Sequence, residues 1–141
     1  MIKIGRLGEE IVSQWLEGRG CRILYRNWHC IWGEIDLIGW EEFSNTLVFV
    51  EVKTRKTRKN CENWNNSGIL AVNQQKEKKL RLVADKFLFE NPSFAEKNCR
   101  FDVVIVEYEP ASSSSNWQKE AGVFYYQGCE FKIVDYIANA L

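Results

Sequence analysis

The hydrophobic and polar positions along the chain predict two long helices. Near the N-terminus, apolar residues recur at spacings of three and four, and Gly20 ends this first helix. A second stripe with the same spacing starts from Asn73 and ends before Asn91-Pro92, because the residue before a proline disfavours the helical conformation. The apolar stripes consist of Ile4, Leu7, Ile11 and Trp15 in the first helix and of Leu80, Val83, Ala84, Phe87 and Leu88 in the second.

Short apolar runs bounded by turn residues predict strands between and after the helices, with Asn45 closing the turn before the third strand. The predicted strands cover residues 21–28, 33–38, 47–52, 100–108, 123–126 and 131–134. Residues 135–141 are predicted to form a short C-terminal helix. The expected order is α-β-β-β-α-β followed by closing strands, which is an α/β (α+β) fold class. Trp28, Trp32 and Trp40 flank the second strand, and most of the six tryptophans are predicted to lie in the core or to pack against loops.

Charged residues occur where the third predicted strand ends. Residues 47–52 form a nearly continuous β-branched and aromatic run, typical of a strand buried on both faces, yet Glu51 and Lys53 fall at its end. Unpaired buried charge is costly, so these charges need partners. Alternation places Glu51 and Lys53 on one face, and Glu34 and Asp36 on one face of the preceding strand. If the two strands pair as a hairpin, Asp36, Glu51 and Lys53 converge on one point.

This convergence would suit the attack of water on a phosphodiester with the help of a metal. Two carboxylates can hold a hard divalent cation, and an ammonium can hold or activate a water beside it. Asp36 and Glu51 are therefore the expected ligands of Mg²⁺ (or Mn²⁺), with the backbone carbonyl of Val52 as a third oxygen. Lys53 would orient or deprotonate the attacking water and offset charge in the transition state. The alternative is a structural ion pair of Lys53 with Glu51 or Asp36.

Composition is that of a globular protein and limits the chemistry. The chain has 141 residues, 45% hydrophobic and 27% charged, which fits one domain over residues 1–141. No apolar run approaches the roughly 20 residues that span a bilayer, and the N-terminus lacks the apolar segment of a signal peptide. We therefore expect a cytoplasmic protein with no membrane partner. Five widely spaced cysteines and one histidine argue against disulfides, a zinc site and serine or cysteine nucleophiles.

The net charge is zero, but the basic residues are clustered. Five of the seven residues from 53 to 59 are basic, and a second cluster opens the second helix. A basic stripe beside carboxylates is what a protein that binds both a phosphate backbone and a cation requires. The alternative is that these basic residues form a solvated loop without a phosphate partner. The side chain of Lys76 either points toward the sheet or snorkels at the helix end. The predicted nucleic-acid contacts are Arg55, Lys56, Arg58, Lys59 and Lys76.

Taken in order, these motifs resemble a known family. The run Asp36 to Glu51-Val52-Lys53 is similar to the core motif of the PD-(D/E)xK nucleases, which include restriction-endonuclease-like and Holliday-junction-resolvase-like enzymes. More closely, the chain resembles the bacterial YraN family (UPF0102) of endonuclease-like proteins. The matching stretches are Gly5-Arg6-Leu7-Gly8-Glu9, Arg26-Asn27-Trp28, Gly33-Glu34-Ile35-Asp36-Leu37-Ile38, Val48-Phe49-Val50-Glu51-Val52-Lys53-Thr54-Arg55, Arg100-Phe101-Asp102-Val103 and Asn139-Ala140.

The resemblance implies a restriction-endonuclease-like mixed sheet flanked by helices, with the site at one sheet edge. It also implies that Glu9 lies beside the metal ligands or holds a second cation, whereas the sequence alone is equally consistent with a solvent-exposed helix acid. Asp102 belongs to the family pattern, and its strand position indicates that it anchors a basic residue or caps backbone amides. The chain departs from the family where the second helix opens with Lys76-Glu77 instead of Lys-Gln.

Two interpretations of function follow. The first is a Mg²⁺- or Mn²⁺-dependent endonuclease that hydrolyses phosphodiester bonds in DNA, including the branched or flapped structures that the resolvase similarity suggests. The second is a catalytically weak nucleic-acid-binding or scaffold module that serves a partner in DNA repair or recombination. The presence of Asp36, Glu51 and Lys53 favours the first, because a decayed enzyme has no physical reason to keep paired buried charges. A homodimer is left open.

Overall fold

The computed structural model describes residues 3–57, 74–111 and 123–141. In this part of the chain, two helices flank a six-stranded sheet. The helices are α1 (Ile4–Gly18) and α2 (Gln74–Glu90), and the strands are β1 (Cys21–Cys30), β2 (Gly33–Glu41), β3 (Thr46–Lys56), β4 (Asn98–Pro110), β5 (Val123–Tyr126) and β6 (Cys129–Ile137). Short 3-10 helices, Glu42–Ser44 and Pro92–Phe94, follow β2 and α2. The fold is thus α+β.

The sheet is mixed, with strand order β1-β2-β3-β4-β6-β5. Strands β1, β2 and β3 form an antiparallel meander, in which Leu37 lies opposite Val50 and Glu41 opposite Thr46. The β3–β4 pair is parallel and therefore needs a crossover connection, which contains α2. As a result, the end of β3 and the first turns of α2 belong to the same crossover.

Each face of the sheet packs against one helix. On one face, Val48 and Val50 join a buried cluster with the apolar stripe of α1. On the other, Leu47 and Phe49 join the stripe of α2, where the ring of Phe49 meets the ring of Phe87 at 6.0 Å. The alternation of these four residues between two cores confirms that β3 is buried on both faces.

The two predicted helices and six predicted strands are confirmed, and five of the strands are longer than predicted. The predicted C-terminal helix over residues 135–141 is wrong. Residues 135–137 continue β6, and Ile137 pairs with Val103 of β4. Tyr136 is held in this strand from both ends of its side chain, since its ring packs 5.4 Å from that of Trp15 and its hydroxyl donates to Asp102. These distant contacts outweigh the weak helical preference of so short a segment. Because β3 extends to Lys56, the first residues of the basic run that starts at Lys53 lie on this strand.

No helix within the described ranges has both the length and the apolar character needed to cross a membrane.

Candidate active site

Asp36 lies at the point where β2 and β3 part. The regular pairing of the two strands ends at Leu37 and Val50, and Asp36 is the residue next to Leu37 beyond this last pair. The backbone N–H of Val52 donates to Asp36 Oδ2 at 2.8 Å, so a side chain takes the place of the next strand contact. Only 7% of Asp36 is exposed. The hairpin therefore brings Asp36 beside β3, as the sequence predicted.

The alternation of β2 is interrupted at Asp36. Ile35 packs with the core under α2, whereas Leu37, two residues later, packs with the core under α1. Across the sheet, Asn27 of β1 has a positive φ of 52°. Asp36 thus stands between the two faces, within the electrostatic influence of Glu9 on α1 and of Glu51 on β3.

Negative charge accumulates around Asp36. Its pKa is raised to about 8, first because burial disfavours the charged carboxylate and then because Glu51, Glu9 and Glu34 add like charges, although the Val52 N–H opposes the shift. Burial also raises the pKa of Glu9 above its ordinary value. The Glu9 side chain is 17% exposed and its Oε2 lies 3.8 Å from Arg6 Nη1. Glu9 is therefore not the solvent-exposed helix acid that the sequence left open.

Lys76, rather than Lys53, is the ion-pair partner of Glu51. The Nζ atom of Lys76 lies 3.0 Å from Glu51 Oε1, which confirms that Lys76 points toward the sheet. Lys53 is exposed and forms no ion pair with any other residue in the described ranges. The alternative of a structural Lys53–Glu51 pair is therefore wrong. Lys76 is thus bound to Glu51, whereas Lys53, two residues after Glu51 on β3, is exposed to solvent.

The oxygen atoms where β2 and β3 part are of the type that a hard divalent cation prefers. In a strand, the N–H and C=O of one residue point to the same side, so the Val52 carbonyl faces the edge where its N–H meets Asp36. Two carboxylates and one carbonyl are a donor set that Mg²⁺ accepts, because it retains several waters. Within the described ranges, no three His, Cys, Asp or Glu side chains are grouped to hold a metal. A cation here would hence depend on the carbonyl, water and substrate.

The predicted phosphate contacts differ in their surroundings. Arg55 is half-buried and its Nε donates to Glu107 Oε2 of β4 at 3.1 Å, so this guanidinium already has a carboxylate partner. Lys56 is exposed. Arg58 and Lys59 lie outside the described residues. Lys56 is thus the exposed cation of this group in the described part of the chain.

The role of Asp102 becomes clear on β4, where Asp102 lies opposite Val50 of β3. Asp102 is 1% exposed and accepts from Arg100 Nε at 3.0 and 3.1 Å and from the backbone N–H of Asn139 at 2.9 Å. Arg100 in turn donates to both oxygens of Glu41, at 2.7 and 2.8 Å. Asp102 therefore both anchors a basic residue and caps a backbone amide, as predicted. Sequence reasoning missed Glu41 and Tyr136, which lie far from Asp102 along the chain.

A small cavity adjoins the carboxylates on the α2 side. Its volume is about 210 Å³, and its lining includes Trp32, Glu51, Lys76 and Lys79. Trp32 is 52% exposed, so it is not one of the tryptophans that lie in the core. No periodic pattern reveals this exposure, because Trp32 lies in the turn between β1 and β2.

Comparison with known proteins gives a consistent result. Residues 8–106 match the model of a family described as Uncharacterised protein family UPF0102. A UPF0102 protein of Acaryochloris marina is 37% identical over 99% of this chain and 90% of its own length. UPF0102 proteins of Synechocystis sp. and Nostoc sp. are 36% and 39% identical, each over 99% of this chain and over 98% and 94% of their own lengths. The matched range includes Glu9, Asp36, Glu51, Lys53 and Lys76.

Proposed function

The chain belongs to the uncharacterised protein family UPF0102, and we propose that it is a divalent-cation-dependent endonuclease that hydrolyses phosphodiester bonds in DNA. One observation carries the proposal: Asp36 is bound to the Val52 N–H where β2 and β3 part, and burial together with the charges of Glu51, Glu9 and Glu34 raises its pKa to about 8. Such accumulated negative charge opposes folding unless a cation or proton compensates it. A functional role for a bound cation explains why the arrangement exists.

Each residue of the site has a role in this proposal. Asp36, Glu51 and the Val52 carbonyl hold Mg²⁺ or Mn²⁺, which supplies Lewis-acid polarisation of the phosphate. Lys53 follows Glu51 by two residues on β3 and is exposed, so its ammonium can orient or deprotonate the attacking water and offset charge on the phosphate. Glu9 adds negative charge from the α1 side, where it assists the ligands or holds a second cation.

The ion pair between Lys76 and Glu51 does not prevent Glu51 from binding a cation. Partly exposed pairs of this kind contribute about 0.2–1 kcal/mol, and the Lys76 side chain is 39% exposed. A divalent cation can therefore displace the ammonium. Without a cation, the pair keeps the Glu51 carboxylate in position.

The proposal is tested by incubating the purified protein with matched duplex, single-stranded, flapped and four-way-junction DNA, in Mg²⁺, Mn²⁺ or chelator. We expect cleavage of at least one substrate with the divalent cations only. Asp36→Asn and Glu51→Gln should abolish cleavage and weaken Mn²⁺ binding in calorimetry, because each removes one charge from the site. DNA affinity in chelator should be almost unchanged, since the basic residues are untouched.

Glu42→Gln is the matched control, because Glu42 is an exposed carboxylate beyond the far end of β2. It should cleave like the wild type. If Asp36→Asn cleaves as fast as the wild type in Mn²⁺, the site lies elsewhere. If the wild type binds DNA but cuts none of the substrates, the second interpretation, a nucleic-acid-binding or scaffold module, gains support. The Lys76–Glu51 pair favours that second interpretation, since it satisfies Glu51 without a metal.

A further inference from the structure

The turn between β1 and β2 exposes two large apolar side chains. Ile31 is 88% exposed and Trp32 is 52% exposed. Trp28, on β1 itself, behaves differently, because its ring packs 5.3 Å from that of Phe87 in the core. Single exposed apolar residues are ordinary in proteins. The position of Trp32 relative to the candidate site therefore decides whether its exposure has a use.

Trp32 is part of the wall of the 210 Å³ cavity described above. Glu51, Lys76 and Lys79 line the same cavity, so the indole lies close to the proposed metal ligand and to the first turns of α2. Lys79 is exposed and is not in any ion pair with the other described residues. The lining of the cavity thus includes a tryptophan and two lysines, of which Lys76 is paired with Glu51.

This combination fits a nucleotide. Proteins that bind single strands pair aromatic side chains, on which bases stack, with cations that contact the phosphates. Here the carboxylates of Glu34 and Glu51 also line the cavity and repel phosphate, which leaves the lysine side for the backbone and the indole for the base. In an intact duplex, both faces of each base are covered by neighbours. An unpaired base, in contrast, offers a free face to Trp32.

We propose that Trp32 is a stacking platform for an unpaired DNA base next to the phosphate that the site cleaves, with Lys79 as a backbone contact. The inference deepens the proposed function, since the adjacency to Glu51 is what links the base to the scissile phosphate. Binding of the unpaired strand itself depends only on Trp32 and the lysines. It can therefore be measured without a cation and without cleavage.

The experiment compares binding of labelled single-stranded, overhang and blunt-duplex oligonucleotides in chelator. Trp32→Ala should weaken single-stranded and overhang binding by about 5- to 100-fold, the usual range for removing one stacked base, and should leave blunt-duplex binding within about twofold. Trp32→Phe should restore most of the affinity. Phe89→Ala, which removes an aromatic side chain that is 79% exposed at the far end of α2, is the matched control and should have no effect.

Photocrosslinking gives a second readout. A single-stranded oligonucleotide containing 5-iodouracil should crosslink to the peptide that contains Trp32, as mapped by mass spectrometry. An equal loss of single-stranded and duplex affinity in Trp32→Ala, or no loss at all, would overturn the inference, and so would crosslinks that avoid this peptide. Loss of single-strand preference in Trp32→Ala, in a protein that never cleaves DNA, would support the platform while defeating the endonuclease proposal.

Discussion

Two lysines near Glu51 have different surroundings, and the difference predicts different functions. Lys76 of α2 is bound to Glu51 Oε1 at 3.0 Å, whereas Lys53 is exposed on β3. Because Lys76 already neutralises Glu51, replacement of Lys53 leaves no carboxylate without its partner. The side chain of Lys53 is thus available to the substrate at little cost in stability.

We therefore expect Lys53→Ala to slow single-turnover cleavage by about 10²- to 10⁴-fold, the usual effect of removing a general acid–base group or a preorganised charge. Its melting temperature and its affinity for Mn²⁺ and DNA should change little. Lys97→Ala, which removes another exposed lysine just before β4, is the control. A large fall in melting temperature with unchanged specific activity would instead assign Lys53 a structural role.

At the scale of elements, the sequence predicts that Asp36 lies beside β3, because the local geometry of the hairpin decides this placement. The pairing of Leu37 with Val50 brings Asp36 next to β3, where it accepts from the Val52 N–H and feels the charge of Glu51. Lys76 could not be assigned to Glu51 in advance, since their contact depends on how the crossover places α2 against the sheet. The cavity beside Trp32 could not be predicted either, because residues of α2 form part of its lining.

The extent of the strands shows how packing outweighs local preference. Gly39 and Glu41 weaken the strand pattern, and the sequence accordingly ends the second strand at residue 38. In the structure, β2 extends to Glu41. Glycine at position 39 lets β1 and β2 approach each other there, because a Cβ would lie 2.6 Å from Cys21 Sγ. Likewise, β6 replaces the predicted C-terminal helix because Asp102 accepts from Tyr136 and Asn139, which lie 34 and 37 positions away along the chain.

The packing of α1 on β3 yields a test of the role of Glu9. A Cβ on Gly8 would overlap the hydroxyl of Thr54, so α1 approaches β3 closely only because residue 8 is glycine. Gly8→Ala should destabilise the protein by about 1–3 kcal/mol in chemical denaturation, the usual cost of overpacking. It should also lower cleavage, since the displaced helix carries Glu9 away from Asp36.

Two further variants separate this packing effect from helix preference. Gly5→Ala lies on the same helix with no atom within 4 Å of the added Cβ, and it should be neutral or stabilising. Thr54→Ala in the Gly8→Ala background should recover part of the stability, because it removes the overlapping hydroxyl. If Gly5→Ala and Gly8→Ala lower stability equally, the close approach of α1 and β3 is not the cause.

At the scale of the whole molecule, the distribution of charge matters more than its sum. The net charge is zero, so there is no overall attraction to DNA, and binding must depend on local clusters within a Debye length of about 8–10 Å. The parallel crossover between β3 and β4 sets Lys53 and Lys56 at the end of β3 and Lys76 at the start of α2. Arg55 belongs to the fold instead, because Glu107 holds it.

We accordingly expect that replacing Lys56, Arg58 and Lys59 together by Gln weakens duplex binding and flattens its dependence on salt. For every phosphate that the protein no longer neutralises, the slope of log K against log salt should fall by about 0.9. Arg55 is left unchanged so that Glu107 keeps its partner.

The control replaces Arg22, Lys86 and Lys97, which lie toward the opposite ends of the sheet and of α2, and it changes the net charge by the same amount. Equal flattening in both triple variants would show that total charge, and not the cluster after β3, governs binding. An unchanged slope in the first variant would show that these cations are only solvated and contact no phosphate, and the phosphate backbone would then have to be bound by the lysines of α2.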